Sequence, residues 1–573
     1  MSRRTLIALV ALSAALSSVL SGCADIPTTG DPETVKAQGA PAQSVPQVRV
    51  IAQGPRPADS QISIVSGFLE ASGTTEEGFA TARKFLTPDG SARWAAREIT
   101  IYDQDEFSLV ERTGDRVVLA TRAVGRVDYQ GVYLAESSKR AVQVSFQLAR
   151  MGVDWRIASP PPGLLVSQQD FEREYRQIDN YFIARPPRTS VLVPDPVYTA
   201  RTQVSPTARV ESLLRGPSRW LSAVAMTAAP SGAELAEPVT ILSGVALVRL
   251  TPESVPIEGV ARDLMLAQIV MTLTQDPEIN QVEIRAAGQP ALSFGDAGNT
   301  TLRRQDVVPY LPADLRPPPP PAYFVRDGAA FTVGLGVSPG PLPAETELAE
   351  IAVAPGGVGL LAGISEDRTT LWTARADQPK ELTVRARGVN LRSLSFDGDG
   401  DLWVVEGVAR STVVRRYPPT GEALRVASSG FEARQISRLR VAADGVRVAM
   451  VLDTIEGAQV YIAQASESAS GLRIAAPRRM AAALSDPRSV DWADPGHLVV
   501  LAAPPNAQVQ PFEVSLSGPI EPFAGTPPPG MTEVSVTFGQ PAIAATKKNE
   551  IYRLREDGTW FKEGPGTAPT YPG

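Results

Sequence analysis

Four places in this sequence carry side chains whose type and spacing could do chemistry. They are the single cysteine, Cys23; the single histidine, His497; the serine of Gly336-Val337-Ser338-Pro339-Gly340; and the acidic run Asp397, Asp399 and Asp401. The serine pentad fits G-x-S-x-G, the elbow that presents a nucleophile in hydrolases. In that elbow the residue after the serine donates its backbone N–H to the oxyanion hole. Here that residue is Pro339, which has no N–H to give. The acidic run could hold calcium, but an EF-hand loop needs glycine at its sixth position and glutamate at its twelfth. Counted from Asp397, those positions are Leu402 and Val408. "DGDGDLWVV" therefore reads as a turn ahead of a tryptophan-bearing strand, and His497, in "DPGHLVV", as a turn residue. Paired carboxylates of the glycosidase kind stay open, since nothing singles out a pair among 62 acidic residues.

The surroundings of Cys23 decide its chemistry. Upstream, Arg3 and Arg4 form a short basic head and Thr5 to Leu20 an apolar run broken only by small hydroxyl residues. The run is shorter than the roughly 20 residues that span a bilayer and reads as a secretory signal. It ends not in an A-x-A-like site but in Leu20-Ser21-Gly22-Cys23, which resembles a bacterial lipobox. That resemblance implies a diacylglyceryl group on the Cys23 sulfur and cleavage between Gly22 and Cys23, so that residues 1–22 are a lipoprotein signal peptide. Two acyl chains, at about 0.8 kcal/mol per buried methylene, make a stable anchor where one would be marginal. Ser2-Arg3-Arg4 echoes a twin-arginine signal, but the rest of that motif is missing, so general export is expected. With its only thiol acylated, the chain can build neither a Cys/His dyad nor an internal disulfide. One histidine excludes a multi-histidine metal site. No catalytic residue, metal or cofactor is expected.

The elements that carry these residues fall into blocks. A chain of 573 residues is too long for one core and predicts about three domains. Net charge is −7, and no basic run longer than two follows the signal, which argues against a nucleic-acid partner. Residues 23–58 are polar and proline-rich and read as a flexible tether. In residues 59–200, "SIVSGFLEAS" and "EEGFATARKFL" have helical spacing. Pro88-Asp89-Gly90 is expected to break the second helix. Strand-like runs follow, predicting an α+β module similar to nuclear-transport-factor-like (NTF2-like) domains. In residues 201–300, "TARVESLLRGPS" is a helix stopped at Gly216-Pro217. "AELAEPVTIL" and "VALVRL" are strands around Ser243-Gly244. "GVARDLMLAQIVMTLTQDPEINQVEIRAAGQP" gives a helix ended by Asp276-Pro277, apolar nearly all round as a buried helix should be, and a final strand, Val282 to Arg285. This block resembles the germination-type GerMN domain, for which no catalytic residues are established. Residues 301–322, with Pro317 to Pro321, read as a stiff proline-rich linker.

From 323 to 573, β-rich runs recur. Aligning Gly357, Gly400, Gly445, Gly496 and Gly539 gives spacings of 43, 45, 51 and 43. Strand repeats of that period predict propeller blades. Five are visible, and "AYFVRDGAAFTVG" closes the ring or begins a sixth. The expectation is a multidomain α+β and all-β chain with a five- or six-bladed β-propeller.

In this order, lipobox, tether, α+β module, germination-type domain and propeller resemble the actinobacterial LpqB lipoprotein family. The densest stretch is "DWRIASPPPGLLVSQQDFEREYRQIDNYF", in which Ser167 caps a helix starting near Gln168. The resemblance implies a protein on the extracytoplasmic face of the cell membrane. It also implies a partner, the extracytoplasmic region of the MtrB sensor histidine kinase, whose MtrAB signalling controls envelope and division genes. The alternative is an envelope glycan- or peptide-binding protein, or an enzyme, that uses the propeller channel. Carboxylates and aromatics clustered at one end of that channel would favour the alternative; a bare or arginine-lined channel would favour the regulator.

Overall fold

The computed structural model describes residues 52–573 except 113, 137–140, 187–189, 256–258, 296–297, 317–320, 334–337, 340–341, 343, 357–358, 376–377, 409–410, 432–433, 470, 505–506, 519 and 524. The expected signal peptide, Cys23, most of the tether and Pro317 to Pro320 lie outside the described residues. Residues from Ala52 onward form one compact unit.

The first module sets helices on a curved sheet. Helix α1 (Gln61–Ser72) starts where the Ser60 hydroxyl accepts from the Ser63 N–H, and buries Ile64, Val65, Phe68 and Leu69. Gly67 lets the Phe85 ring lie directly on this helix. The helix expected through "EEGFATARKFL" is shorter than the pattern suggests. Gly78 and Phe79 take φ of 64° and 54°, which leaves only α2 (Ala80–Arg83). Pro88 does not end a helix but opens one, α3 (Pro88–Arg93), at its first position behind the Thr87 cap. There a missing N–H costs nothing and a fixed φ is an advantage. Strands β1 (Ile99–Tyr102), β2 (Ser108–Arg112), β3 (Arg116–Val127), β4 (Tyr133–Ala135), β5 (Ala141–Met151), β6 (Asp154–Ser159) and β7 (Leu164–Ser167) form one sheet. Its order is β6-β5-β3-β1-β7, with β2 and β4 also on β3. Phe68, Trp94 and Phe146 meet edge to face between helix and sheet. Helix α4 (Gln168–Glu174) follows, capped by Ser167.

The expected boundary at residue 200 is corrected by the hairpin of β8 (Tyr175–Ala184) and β9 (Leu192–Ala200). Its base, Tyr175 and Ala200, lies in the first module's core. Its tip, Tyr181 to Ala184 with Leu192 and Val193, lies in the second's. The second module continues with α5 (Pro206–Arg215), β10 (Ala225–Met226), β11 (Thr240–Leu242), β12 (Val245–Leu250), α6 (Val260–Leu273), β13 (Gln281–Ala286) and β14 (Thr301–Leu302). Helix α6 crosses between the parallel strands β12 and β13. Every residue from Leu264 to Leu273 is buried, which matches its nearly all-round apolar sequence, the polar Gln268 and Thr272 being hydrogen-bonded to the β8 backbone. The linker is also shorter than expected. Leu302, Val307 and Leu311 are core residues of this module, because the apolar side chains between the polar ones find the α6 surface.

The rest is a propeller of six four-stranded sheets among the described residues, two of them joined where Leu424–Ser428 pairs with Gly471–Met480. In blade 1 the innermost strand, Thr567–Thr570, comes from the far end of the chain. It pairs with Tyr323–Arg326, followed outward by Ala329–Thr332 and Ser338–Pro339. "AYFVRDGAAFTVG" thus both closes the ring and supplies a sixth blade. The remaining inner strands are Leu348–Val353 (blade 2), Leu391–Phe396 (blade 3), Gln435–Val441 (blade 4), Ser485–Asp494 (blade 5) and Met531–Ser535 (blade 6). Gly400, Gly445, Gly496 and Gly539 all lie in the hairpin that leaves an inner strand, so the sequence period marks one face of the ring; Gly357 lies outside the described residues.

Candidate functional site

The side chains facing the ring's centre are ionic and most are engaged, although Arg392 Nε is buried without a hydrogen-bond partner. Neighbouring inner strands splay apart, so side chains rather than backbone ladders join them. The Glu350 carboxylate accepts from the Leu394 N–H at 2.8 Å and the Ser393 N–H at 3.2 Å, with Arg368 at 3.5 Å. The Leu439 N–H donates to Ser393 Oγ at 2.6 Å and the Val441 N–H to Ser395 Oγ at 2.9 Å. Asp491 accepts from the Ser535 hydroxyl at 2.7 Å and the Val536 N–H at 3.1 Å, and faces Arg440 at 3.5 Å. Burial pushes its carboxyl above the ordinary aspartate range. Across the ring Arg438 pairs with Glu533 at 2.7 Å. The Gly573 N–H donates to the Val353 carbonyl and its own carbonyl accepts from Phe396, lying over the ends of two inner strands. The interior is thus arginine-lined, with Glu350, Asp491 and Glu533 each occupied.

The other residues singled out by sequence fall at turns and edges. Asp397 is fully buried; its Oδ1 accepts from the Asp399 and Asp401 N–H groups at 3.1 Å and its Oδ2 from the Trp403 indole at 2.8 Å. A carboxylate so engaged organises a turn. Ser338 and Pro339 sit on the strand paired with Ala329–Thr332, not on a strand-to-helix elbow. Gly336, Val337 and Gly340 lie outside the described residues, as do Gly22 and Cys23. His497 follows the blade 5 turn, with Nδ1 3.0 Å from the Asp494 carboxylate. That hydrogen bond raises its pKa above the ordinary 6.5 against the pull of burial.

What sequence reasoning missed is the joint between the second module and the hairpin face of blades 4 and 5. Trp220, just after the Gly216-Pro217 stop, donates its indole N–H to the Ala476 carbonyl at 3.0 Å and accepts from Gln464 on its own carbonyl. Its ring carries the Arg478 guanidinium at 4.8 Å. Burial lowers that arginine to about 10. Nearby Asp195, held by the Ser218 N–H and hydroxyl, is pushed up by burial to about 6. Arg447, 1% exposed, is held by Asp444 at 2.6 Å and lies over Trp492 at 5.1 Å. The first module reaches the same place. Tyr133 packs on Gly518, whose φ of +118° and contact with that ring leave no room for a Cβ. A tryptophan in a polar loop was the one signal available in the sequence.

Among the described residues, no helix is long and apolar enough to cross a membrane. Three family descriptions match in order: "Lipoprotein LpqB, N-terminal domain" over residues 54–172, "Sporulation and spore germination" over 180–292 and "Lipoprotein LpqB beta-propeller domain" over 334–572. The first two meet within the β8–β9 hairpin region, where the cores divide. Lipoprotein LpqB of Thermobifida fusca is 28% identical, covering 99% of both chains. That of Streptomyces avermitilis is 30% identical, covering 97% of this chain and 96% of its own. That of Streptomyces coelicolor is 29% identical, with 97% and 96% covered. With the modules matched in order and relatives aligned almost end to end, the chain belongs to the LpqB lipoprotein family.

Proposed function

We propose that this lipoprotein, anchored through Cys23 on the extracytoplasmic face of the membrane, binds the extracytoplasmic region of an MtrB-type sensor histidine kinase and biases its signalling state. The observation that carries this reading is the occupied ring interior. With Glu350, Asp491 and Glu533 held by arginines and backbone N–H groups, the broad loop face is the surface left for a partner. The hairpin face of blades 4 and 5 holds the second module, and the opposite face exposes Val389 and Ile455. A tether supports such a role, because a shared membrane raises the effective concentration of a neighbour until weak contacts are occupied. Modulation requires that the contact favour one kinase state over another.

The test is a pull-down and titration of residues 24–573 with the kinase extracytoplasmic domain, in solution and with both partners on liposomes. Saturable binding, weakened at least tenfold by Val389→Asp with Ile455→Asp, is expected. No binding even when co-anchored would overturn the reading and move attention to a glycan or peptide ligand.

A further inference from the structure

Between the first and second modules lies a cavity of about 450 Å³, within the size range of small-molecule sites. One wall is helix α5. Ser205, Ala208, Arg209, Ser212 and Arg215 recur along it at helical spacing and line the cavity. The facing walls mix the apolar and aromatic side chains Phe79, Ile99, Tyr175, Ile178 and Tyr198 with polar ones such as Thr75, Gln130 and Thr199.

Arg209 is the anomaly. It is 2% exposed, and its Nε and Nη1 are buried without a hydrogen-bond partner. No carboxylate among the described residues forms an ion pair with it; Asp179 and Asp276 act on it only through space, and Arg176 opposes them. Burial accordingly lowers its pKa. A buried guanidinium without a partner is costly, and its planar fork matches an oxyanion better than any other side chain. The other charges agree. Arg97, Arg209 and Arg215 line the cavity against two carboxylates, Glu76 and Asp128. Both carboxylates already accept from backbone N–H groups, Glu76 from Thr81 and Asp128 from Gln130 and Val132.

We propose that this cavity binds an organic oxyanion, its phosphate or carboxylate on Arg209 and its apolar part along Phe79, Tyr175 and Tyr198. The site lies far in sequence from the propeller ring and does not depend on the kinase reading. Because its walls come from two modules, an occupant would also hold their relative position.

The test uses residues 24–573 at constant ionic strength, titrated calorimetrically with phenyl phosphate, with inorganic phosphate and with phosphatidylglycerol vesicles. Saturable binding of phenyl phosphate is expected, tighter than inorganic phosphate, and weakened at least tenfold in Arg209→Met. Binding of the vesicles with the same dependence on Arg209 would assign the oxyanion to a lipid headgroup. Its absence, with phenyl phosphate bound, would assign it to a soluble ligand. Should Arg209→Met not fold, Ala208→Leu, which enlarges a cavity-lining side chain without touching the charge, takes its place. Failure of all three probes to saturate, or equal binding by the variant, overturns the proposal.

Discussion

On its propeller side the second module meets Arg447 and Arg478, each with a carboxylate or carbonyl partner, although Arg447 Nη1 and Arg478 Nε have no hydrogen-bond partner. Asp444 and the Trp492 ring hold the first, and the Leu516 carbonyl and the Trp220 ring hold the second. On its other side, against the first module, Arg209 is buried, its Nε and Nη1 have no hydrogen-bond partner, and no carboxylate among the described residues pairs with it. The first joint is closed and the second keeps a cavity. Desolvating a guanidinium is expensive in either place, so the two joints spend it differently. One uses it to fix the angle between module and propeller; the other holds it ready.

The largest effect should come from breaking the closed joint. Asp444→Ala leaves Arg447 charged, buried and without its carboxylate, a loss of about 3–5 kcal/mol by analogy with other broken buried pairs. Arg209→Met removes a buried charge that has no ion-pair partner and should be neutral or stabilising, by up to about 1–4 kcal/mol. Calorimetric scans of the two variants check the contrast, read as transition shifts because a multidomain chain need not unfold in two states. Similar losses in both would show that Arg209 is held structurally by Asp179 and Asp276 after all.

A second break acts on backbone rather than charge. Gly518→Ala forces a Cβ into the Tyr133 ring at a φ of +118° and should cost roughly 2–3 kcal/mol, of which backbone strain is about 1–2. In a Tyr133→Ala background only the strain remains, so the cost should fall. An unchanged cost in that background would place the whole effect on blade 5 and none on the contact with the first module.

These joints mark where sequence reading stopped. Periodicity and turn chemistry are local, and they located the buried helix α6, the Ser167 cap and the propeller with its glycine turns. The acidic run reads as a turn from its spacing, and in the structure Asp397 accepts from backbone and indole donors of that turn. The boundary at residue 200 failed for a different reason. An alternating hairpin reads identically whichever core it enters, and β8–β9 enters two. Leu302, Val307 and Leu311 were hidden by the prolines that follow them. Arg209 could not be seen at all, since 48 arginines look alike until burial distinguishes them.

The remaining effects sharpen the comparison through pH. Asp195 at the closed joint is raised by burial to about 6 from 3.8, so the folded chain binds its proton more tightly than the unfolded chain does. Its contribution to stability therefore falls as pH rises from about 4 to 6, by roughly 3 kcal/mol, and is flat above. The difference in stability between the chain and Asp195→Asn should trace that fall, and a constant difference from pH 4 to 8 would mean the carboxyl is solvated. His497 has the same sign in a higher window. Its pKa is raised by Asp494 above 6.5, so its contribution is full below 6.5 and is lost as pH rises through the folded value. Its side chain is 32% exposed, and solvent screening keeps the effect to a few tenths of a kcal/mol. His497→Gln should therefore lose stability relative to the unaltered chain at pH 6 and match it at pH 9. Because Asp179 of the second module adds to the same raised pKa, pulling the joint apart with Trp220→Ala should shrink that pH dependence. Were it unchanged, His497 would answer only to its own turn, and the closed joint would rest on Arg447 and Arg478 alone.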